Sequence, residues 1–505
     1  MQPLHHELDR RRFLNLAVVA GAGGLVAGIG RQLSGGEAAP QPAADVKPQG
    51  ACELLVGAAT ISITPDKPVA LQGQMHTRIS KAVESPIIAA ALTLESRRGA
   101  QGGDQAVFVA CDLTVLRGGI IEKVREHVKG RLPDLDVNKL IFSATHTHSA
   151  PVMVEGAYEI PKDGVMQPTE YFEFLLGRLS DVIVQAWQAR KPGRVGWGLG
   201  HAVVAQNRRA VYADGHAEMY GNTNRPEFRS IEGYEDHGIH GIFFWDHDQK
   251  LLATAVNVAC TAQEVESNLA VSADFWHDVR KLLQARHGEG LVTLGWIGAA
   301  GDQSPHLLVR KAAEERMRKL RGLTRMEEIA RRLDRAWEEA YEAGQQDQHA
   351  EVVFAHRVQT IALPVRVVTA EECAQAKAQA EKLSKDPRES TLMRWHQRVV
   401  ERYEQQQAGQ EKPYLMELHV VRLGDVAIAT NDFELYTDYG VAMQARSPAT
   451  QTVVIQLAGG GSYLPTERAV RGGGYGAIPQ SNRVGPPGGQ VLVDRTVELI
   501  QSLWK

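Results

Sequence analysis

Short apolar runs alternate with amphipathic stretches along most of this sequence, and that alternation predicts a mixed α/β fold. The runs are rich in β-branched residues and are bounded by polar or glycine-containing turns, which is typical of buried strands. They cover residues 107–110, 140–142, 242–245, 253–256, 291–294 and 453–455. Two further runs, 418–423 and 426–429, predict a hairpin with the two-residue turn Gly424-Asp425.

Capping residues mark the helices between these runs. Thr324 with Glu327, and Thr369 with Glu372, have the spacing of capping boxes at helix starts. After Thr324, apolar residues recur at helical spacing along one face, and a third helix is predicted over 388–407. We therefore expect one large domain over residues 51–505, with a single multi-strand sheet and a helical excursion from about 306 to 410.

The N-terminus predicts an export signal. Arg10, Arg11 and Arg12 precede Phe13-Leu14 and a mildly apolar run that ends at Arg31, a pattern similar to the twin-arginine signal. A retained membrane-spanning helix is the alternative, but the run is shorter than the about 20 residues that a span needs. Residues 1–45 are thus predicted to be a signal and linker, and the protein to be periplasmic or extracellular.

Composition narrows the function classes. Lysine and arginine total 56 against 60 acidic residues, a net charge of −4 that argues against a nucleic-acid-binding protein. The four cysteines form no CxxC pair and no zinc-finger spacing. The 48 glycines suggest many tight loops, which are common places for functional sites.

Polar residues follow several of the predicted strands. His146 and His148 come after the run at 140–142, a glycine-containing loop at 298–305 presents Asp302 and Ser304, and Glu434 and Tyr463 follow later runs. On an extended backbone, His146 and His148 point to one face, where both can bind a metal or one can bind while the other moves protons. Two surface histidines and ordinary polar loops are the alternatives. If these strand ends meet at one rim, they form a pocket.

Several motifs, in this order, resemble the catalytic domain of neutral/alkaline non-lysosomal ceramidases, and the resemblance covers most of residues 51–505. They are found at 56–65, 144–151 (Ala-Thr-His-Thr-His-Ser-Ala-Pro), 206–208 (Gln-Asn-Arg), 272–275 (Ser-Ala-Asp-Phe), 301–305 (Gly-Asp-Gln-Ser-Pro), 462–466 (Ser-Tyr-Leu-Pro-Thr) and 473–475 (Gly-Gly-Tyr).

The resemblance implies a Zn²⁺-dependent amidase that cleaves the N-acyl bond of a sphingoid lipid. It places His146 as a zinc ligand, His148 beside it in the active site, and Glu434 and Tyr463 as further zinc contacts. Asn207 and Arg208 match a substrate-facing motif. Asp302 and Ser304 belong to the Gly-Asp-Gln-Ser-Pro motif, in which Ser304 matches a serine sometimes proposed as the nucleophile. Physical chemistry supports water attack, with His148 as proton carrier and Arg208 or Tyr463 facing the oxyanion.

One departure from the family pattern concerns the second zinc histidine. Thr261 stands at that position, or Ala259 in a shifted register, and the candidate substitutes are Cys260, Glu264 and His277. We therefore expect a weakly held zinc ion.

Three functions follow from the sequence. The first is an exported zinc-dependent amidase, acting on a small-molecule amide or on a lipid that would bring the protein into peripheral contact with a membrane. The second is a degenerate binding protein without zinc. The third is a metal-dependent hydrolase of a polar, carbohydrate-derived substrate, with Arg208, Glu235 and His237 lining its mouth.

Overall fold

The computed structural model describes residues 50–99, 101–386 and 389–505, so the predicted export signal lies outside the described residues. This part of the chain contains ten α-helices: α1 (Ile120–Lys129), α2 (Pro168–Gln188), α3 (Phe275–His287), α4 (Lys311–Arg321), α5 (Arg325–Gly344), α6 (Ala370–Leu383), α7 (Ser390–Gln407), α8 (Thr437–Arg446), α9 (Glu467–Gly472) and α10 (Pro486–Leu503).

The strands of the described residues are β1 (Cys52–Ser62), β2 (Ala82–Val83), β3 (Ile88–Arg98), β4 (Gln101–Cys111), β5 (Leu140–Ala144), β6 (Lys191–His201), β7 (Gln206–Asn207), β8 (Arg209–Tyr212), β9 (Ala217–Met219), β10 (Phe228–Ile231), β11 (Gly238–Asp246), β12 (Leu251–Val258), β13 (Ala270–Val271), β14 (Val292–Ile297), β15 (Gln303–Ser304), β16 (Glu351–Val352), β17 (Phe354–Leu363), β18 (Tyr414–Leu423), β19 (Val426–Thr430), β20 (Glu434–Leu435), β21 (Gln451–Ile455) and β22 (Tyr463–Leu464).

Two sheets form the centre of the fold. The larger has nine strands in the order β14-β12-β11-β6-β1-β3-β4-β5, with β16 paired to β1, and the smaller has the order β17-β18-β19-β21. Most neighbours are antiparallel, but β4–β5, β12–β14 and β19–β21 are parallel. The prediction of a mixed α/β fold with a large sheet is confirmed.

Alternate residues of the central strands enter two different cores. On β4, Val107 and Val109 face helices α1 and α2, whereas Phe108 faces the four-stranded sheet. Helices α8 and α10 cover the outer face of the smaller sheet. The layers are therefore helices, large sheet, small sheet and helices, and burial on both faces explains why the central strands read as continuous apolar runs.

Both predicted capping boxes are present, at Thr324 before α5 and at Thr369 before α6. The predicted hairpin is also present, with Leu423 opposite Val426 across Gly424-Asp425. The helical excursion of 306–410, however, is not continuous. Strand β17 interrupts it, because its ten residues pair along their whole length with β18 and complete the smaller sheet.

All described residues from 50 onward belong to one compact unit. Among these residues, no helix combines the length and apolarity that crossing a membrane requires.

Candidate active site

The carboxyl ends of β5, β12, β14 and β21 meet at one edge of the two sheets. Backbone hydrogen bonds join them directly: Ala144 N–H donates to Leu457, Gln456 N–H to Ile297, and Gly298 N–H to Val258. The segments that leave these strands carry most of the polar residues singled out in the sequence. The expected convergence on one rim is thus what the structure has.

His146 lies at the centre of this rim and is nearly fully buried. Its backbone is in the left-handed region, with φ of 60°, so the expected extended backbone through His146 and His148 is wrong. Strand β5 ends at Ala144, and the chain turns sharply after it. The ring Nδ1 lies 2.6 Å from the carbonyl oxygen of Thr114 and donates its hydrogen there. Nε2 of a neutral His146 therefore carries a lone pair.

Two other acceptor atoms face this nitrogen. Glu434 Oε2 lies 3.3 Å from His146 Nε2, and His148 Nε2 lies 3.2 Å from it. Glu434 Oε2 is buried and makes no hydrogen bond with any described residue. Acceptors that face one another in a buried site need a proton or a cation between them.

Pairing of two short strands places Glu434 beside Tyr463. Strands β20 and β22 are parallel, and Glu434 is the register partner of Tyr463. Burial acts to raise the pKa of Glu434, but His146 and the Arg208 guanidinium outweigh it and lower that pKa to about 2. Burial raises the pKa of Tyr463 well above its ordinary value. The site thus combines a carboxylate with a neutral phenol.

Arg208 is fully enclosed behind these two groups. Its Nη2 lies 3.2 Å from Tyr463 Oη and donates to the Gly301 carbonyl at 3.0 Å, while Nη1 donates to Tyr220 Oη at 2.8 Å. Glu434 Oε2 lies 3.9 Å from Nη2. A buried, fixed positive charge therefore lies next to the carboxylate and the phenol, where it can stabilise a developing negative charge.

His148 is held from both ends of its ring. Nδ1 lies 2.8 Å from Glu266 Oε2, and Gln263 Nε2 lies 2.7 Å from His148 Nε2. The other oxygen of Glu266 lies 3.2 Å from His306 Nε2. Burial acts to raise the pKa of Glu266, but the two histidines outweigh it and lower that pKa far below its ordinary range. The carboxylate therefore fixes Nδ1 of His148 as the protonated nitrogen and leaves Nε2 as the acceptor.

The fold is similar to that of two solved structures. The structure is similar to neutral ceramidase from Pseudomonas aeruginosa, with 19% identity, a TM-score of 0.63, and coverage of 90% of this chain and 75% of that one. The chain has a ceramidase-like fold. A second ceramidase structure, a complex with C2, has 18% identity, a TM-score of 0.61, and coverage of 90% and 76%. No family model and no curated protein matches the sequence.

At Thr261, where the resemblance leads one to expect a histidine, the structure has a hydrogen-bonded pair of side chains. Thr261 Oγ1 donates to Gln263 Oε1 at 2.6 Å, and Gln263 in turn reaches His148. The candidate substitutes lie elsewhere. The thiol of Cys260 faces the carbonyls of Val204 and Thr261 in an apolar core, and Glu264 lies 3.5 Å from Arg325.

His277, the third candidate, lies on α3. None of the three makes a hydrogen bond or ion pair with His146, Glu434 or Tyr463 in the part of the chain that the structure describes.

Asn207 and Asp302 make hydrogen bonds that support the rim. Asp302 Oδ2 accepts from Asn207 Nδ2 at 2.9 Å, and its Oδ1 accepts from the Thr437 hydroxyl at 2.7 Å. The Asp302 carbonyl also accepts from Arg208 N–H at 2.8 Å. These bonds tie the Arg208 segment to the segment that follows Glu434. Asn207 and Asp302 thus stabilise the segments that carry the site residues.

Ser304 is fully buried on β15, and its hydroxyl accepts a hydrogen bond from His306 N–H at 3.2 Å. Among the described residues, no histidine ring or carboxylate lies within hydrogen-bonding distance of the Ser304 hydroxyl. Glu235 and His237 lie 3.5 Å from each other, and Glu235 Oε1 accepts from Asn207 N–H. This pair supports the Asn207 strand.

The residues that sequence reasoning missed are Thr114, Tyr220, Gln263, Glu266 and His306. The sequence offers a signal for two of them. Glu266 lies two residues beyond Glu264, one of the candidate substitutes, and His306 follows Ser304-Pro305. Their pairing through His148 comes from the tertiary fold.

Three residues are the candidates to hold a metal ion. His146 Nε2 and Glu434 Oε2 face each other at 3.3 Å, and the Tyr463 hydroxyl is hydrogen-bonded to the Glu434 carboxylate. Within residues 50–99, 101–386 and 389–505, no three His, Cys, Asp or Glu side chains are grouped to hold a metal. A metal here therefore requires the Tyr463 phenol as its third protein ligand, one fewer than the four of closed structural zinc sites.

Proposed function

We propose that this chain is an exported zinc-dependent hydrolase that cleaves an amide bond with water as the nucleophile. The observation that carries the proposal is the buried Glu434 Oε2, which lacks a hydrogen bond and faces the acceptor nitrogen of His146 at 3.3 Å. His146, Glu434 and Tyr463 would hold the ion. A zinc ion supplies a Lewis acid and makes water nucleophilic near neutral pH.

His148 is the proton carrier in this proposal. Its Nε2 is an acceptor, because Glu266 holds Nδ1 as the protonated nitrogen. Nε2 accepts from the Gln263 amide in this structure, and an attacking water would replace that amide as its donor. The same nitrogen would then return the proton to the leaving amine.

Arg208 would face the developing oxyanion. Its guanidinium is held by the Gly301 carbonyl and the Tyr220 hydroxyl, so its charge is already in place before the substrate binds. A preorganised charge in a water-poor site stabilises a transition state without reorganisation. Ser304 is not the nucleophile in this proposal, because no histidine ring or carboxylate among the described residues lies within hydrogen-bonding distance of its hydroxyl to take its proton.

Metal content and hydrolysis of the Glu434→Gln variant test the proposal. The full chain, produced with zinc, is assayed for bound zinc and for hydrolysis of a panel of N-acyl amines. We expect Glu434→Gln to lose zinc and to retain at most about a tenth of the wild-type hydrolysis, because the carboxylate charge is removed.

Glu467→Gln is the matched control, since this glutamate is largely exposed at the start of α9 and lies only four residues after Tyr463. It is expected to behave as wild type. Wild-type protein without zinc, or Glu434→Gln with full hydrolysis, would overturn the proposal.

Thr261 favours a second candidate, a ceramidase-like binding protein. Without a histidine at this position, the ion has one protein ligand fewer, and Gln263 occupies the neighbourhood of His148. In the same assays, this candidate predicts binding of an N-acyl amine with no zinc and no hydrolysis.

A further inference from the structure

Four arginines surround a cavity beside the candidate active site. Arg117, Arg398, Arg402 and Arg483 line a space of about 500 Å³, which we call the arginine crevice. Two acids, Glu401 and Glu411, also line it, and neither forms an ion pair with these arginines in the described part of the chain. The crevice is therefore positively charged.

Within the described part of the chain, three of these guanidinium groups have no hydrogen-bond or ion-pair partner. The side chains of Arg117, Arg398 and Arg483 make no hydrogen bond or ion pair with any described residue; Arg483 only lies over the ring of Tyr414. All three residues are exposed to solvent. Three guanidinium groups without a carboxylate partner among the described residues thus line one cavity, and each leaves donors available to an anion.

The fourth arginine shows that the crevice is built into the fold. Arg402 Nη1 donates to the carbonyls of Pro479 and Asn482, which anchors α7 to the loop before α10. Its Nε and Nη2 are buried without a hydrogen-bond partner among the described residues. Arg398 lies one helical turn before Arg402 on α7 and faces the same cavity.

Two chain segments connect the crevice to the active site. Arg117 follows three residues after Thr114, whose carbonyl holds His146. Ser462 lines the crevice, and the next residue is Tyr463. A second cavity, of about 690 Å³, shares Arg117 and Gly460 with the crevice. The crevice is therefore bordered by the chain segments that carry Thr114 and Tyr463.

We propose that the arginine crevice binds an anionic group of the substrate, such as a carboxylate, sulfate or phosphate monoester, at a fixed distance from the scissile amide. The proposal deepens the proposed amide hydrolysis and rests on it for the position of the scissile bond. A planar guanidinium binds such groups through paired N–H donors, and several together exclude a neutral group by leaving their donors unsatisfied.

The test for the substrate uses N-acyl-ω-amino acids with spacers of increasing length, each paired with its neutral carboxamide. We expect one spacer length to give at least about a tenfold higher kcat/KM for the carboxylate. The Arg398→Gln/Arg483→Gln variant should abolish this preference and leave the carboxamide rate unchanged. Arg394→Gln removes the same charge from α7 outside the crevice and should leave both rates unchanged. Carboxamide hydrolysis without a preference at any spacer length would overturn the inference and leave the amidase proposal intact.

A binding test separates the two proposals. Calorimetry with sodium sulfate and sodium phosphate is expected to detect binding to wild type and to Arg394→Gln, and none to Arg398→Gln/Arg483→Gln. Such binding in a protein that hydrolyses no amide would retain the anion site and reject the amidase. If neither sulfate nor phosphate binds to the wild type, the anion site is overturned.

Vesicles of phosphatidylcholine with and without phosphatidylserine distinguish a membrane from a soluble anion. Arginine-dependent binding to the anionic vesicles, without binding of soluble anions, would contradict the substrate assignment.

Discussion

The left-handed backbone of His146 determines what its ring can do. With φ of 60°, the chain turns immediately after β5 and directs Nδ1 to the Thr114 carbonyl. Nε2 then faces Glu434 and His148 rather than solvent. A non-glycine residue in this conformation costs stability of order 1 kcal/mol or more, and such strain is common at functional sites. The backbone thus contributes to the site as much as the imidazole does.

Glu266→Gln is predicted to slow hydrolysis without releasing zinc. The substitution keeps the shape of the side chain but weakens its hold on Nδ1 of His148, so the ring loses its preferred tautomer. We expect kcat to fall by about 10- to 100-fold, with zinc content unchanged. Glu264→Gln, two residues earlier and paired with Arg325, is the control. Loss of zinc in Glu266→Gln would contradict the role assigned here.

At the residue scale, the sequence motifs identify the candidate site residues but not the residues that they contact. The resemblance names His146, Glu434, Tyr463 and Arg208, and the structure brings these four residues together. The expected geometry of His146 was wrong because β5 ends at Ala144, and a strand's end depends on tertiary pairing. The role of Glu266 is also not predicted, because its contact with His148 comes from the tertiary fold.

At the scale of elements, glycines on β6 bring helix α5 against the sheet. A Cβ at Gly198 would lie 2.1 Å from the Ala340 carbonyl oxygen, and one at Gly200 would lie 2.0 Å from that of Ala336. The four-residue spacing on the helix matches the two-residue spacing on the strand. The backbone of α5 therefore packs directly on β6, which only residues without a side chain permit.

Gly198→Ala is predicted to lower the free energy of unfolding. The added methyl group meets backbone rather than a flexible side chain, so strand and helix must separate, at a cost of about 1–3 kcal/mol or more. Gly177→Ala, in the exposed interior of α2 with open space around it, should be neutral or stabilising. Denaturant unfolding of both variants is the measurement, and equal effects would contradict this packing.

Local sequence predicted the elements well where their signal was local. The capping boxes of α5 and α6 and the Gly424-Asp425 turn are short-range features, and all three are present. The predicted helical excursion includes strand β17, because the identity of β17 as a strand depends on its pairing with β18, about fifty residues away in the chain.

At the scale of the whole molecule, the two sheets share one core, and a buried polar contact lies between their elements. His356 on β17 has its Nδ1 2.8 Å from the Gln105 carbonyl of β4 and its Nε2 2.9 Å from His419 Nδ1 on β18. Burial lowers the pKa of His356 well below its ordinary value, and the neighbouring His419, Lys139 and Arg357 lower it further. The folded protein therefore keeps this ring neutral.

Stability is predicted to fall as the pH is lowered from 7 to 5, in part through His356. The unfolded chain binds a proton at a pKa near 6.5 and the folded chain does not, so acid favours unfolding by up to about 1.4 kcal/mol per pH unit. Because other groups also titrate, the comparison is with His356→Asn, whose unfolding free energy should depend less steeply on pH. Equal slopes in denaturant unfolding at pH 5, 6 and 7 would contradict the prediction.

Anomalous diffraction at the zinc edge, from crystals of the full chain grown with zinc, shows directly whether a zinc ion binds at the candidate active site. We expect one peak within about 2–2.3 Å of His146 Nε2, Glu434 Oε2 and Tyr463 Oη. A zinc-loaded crystal with no peak at these atoms, or with its peak elsewhere, would contradict this expectation.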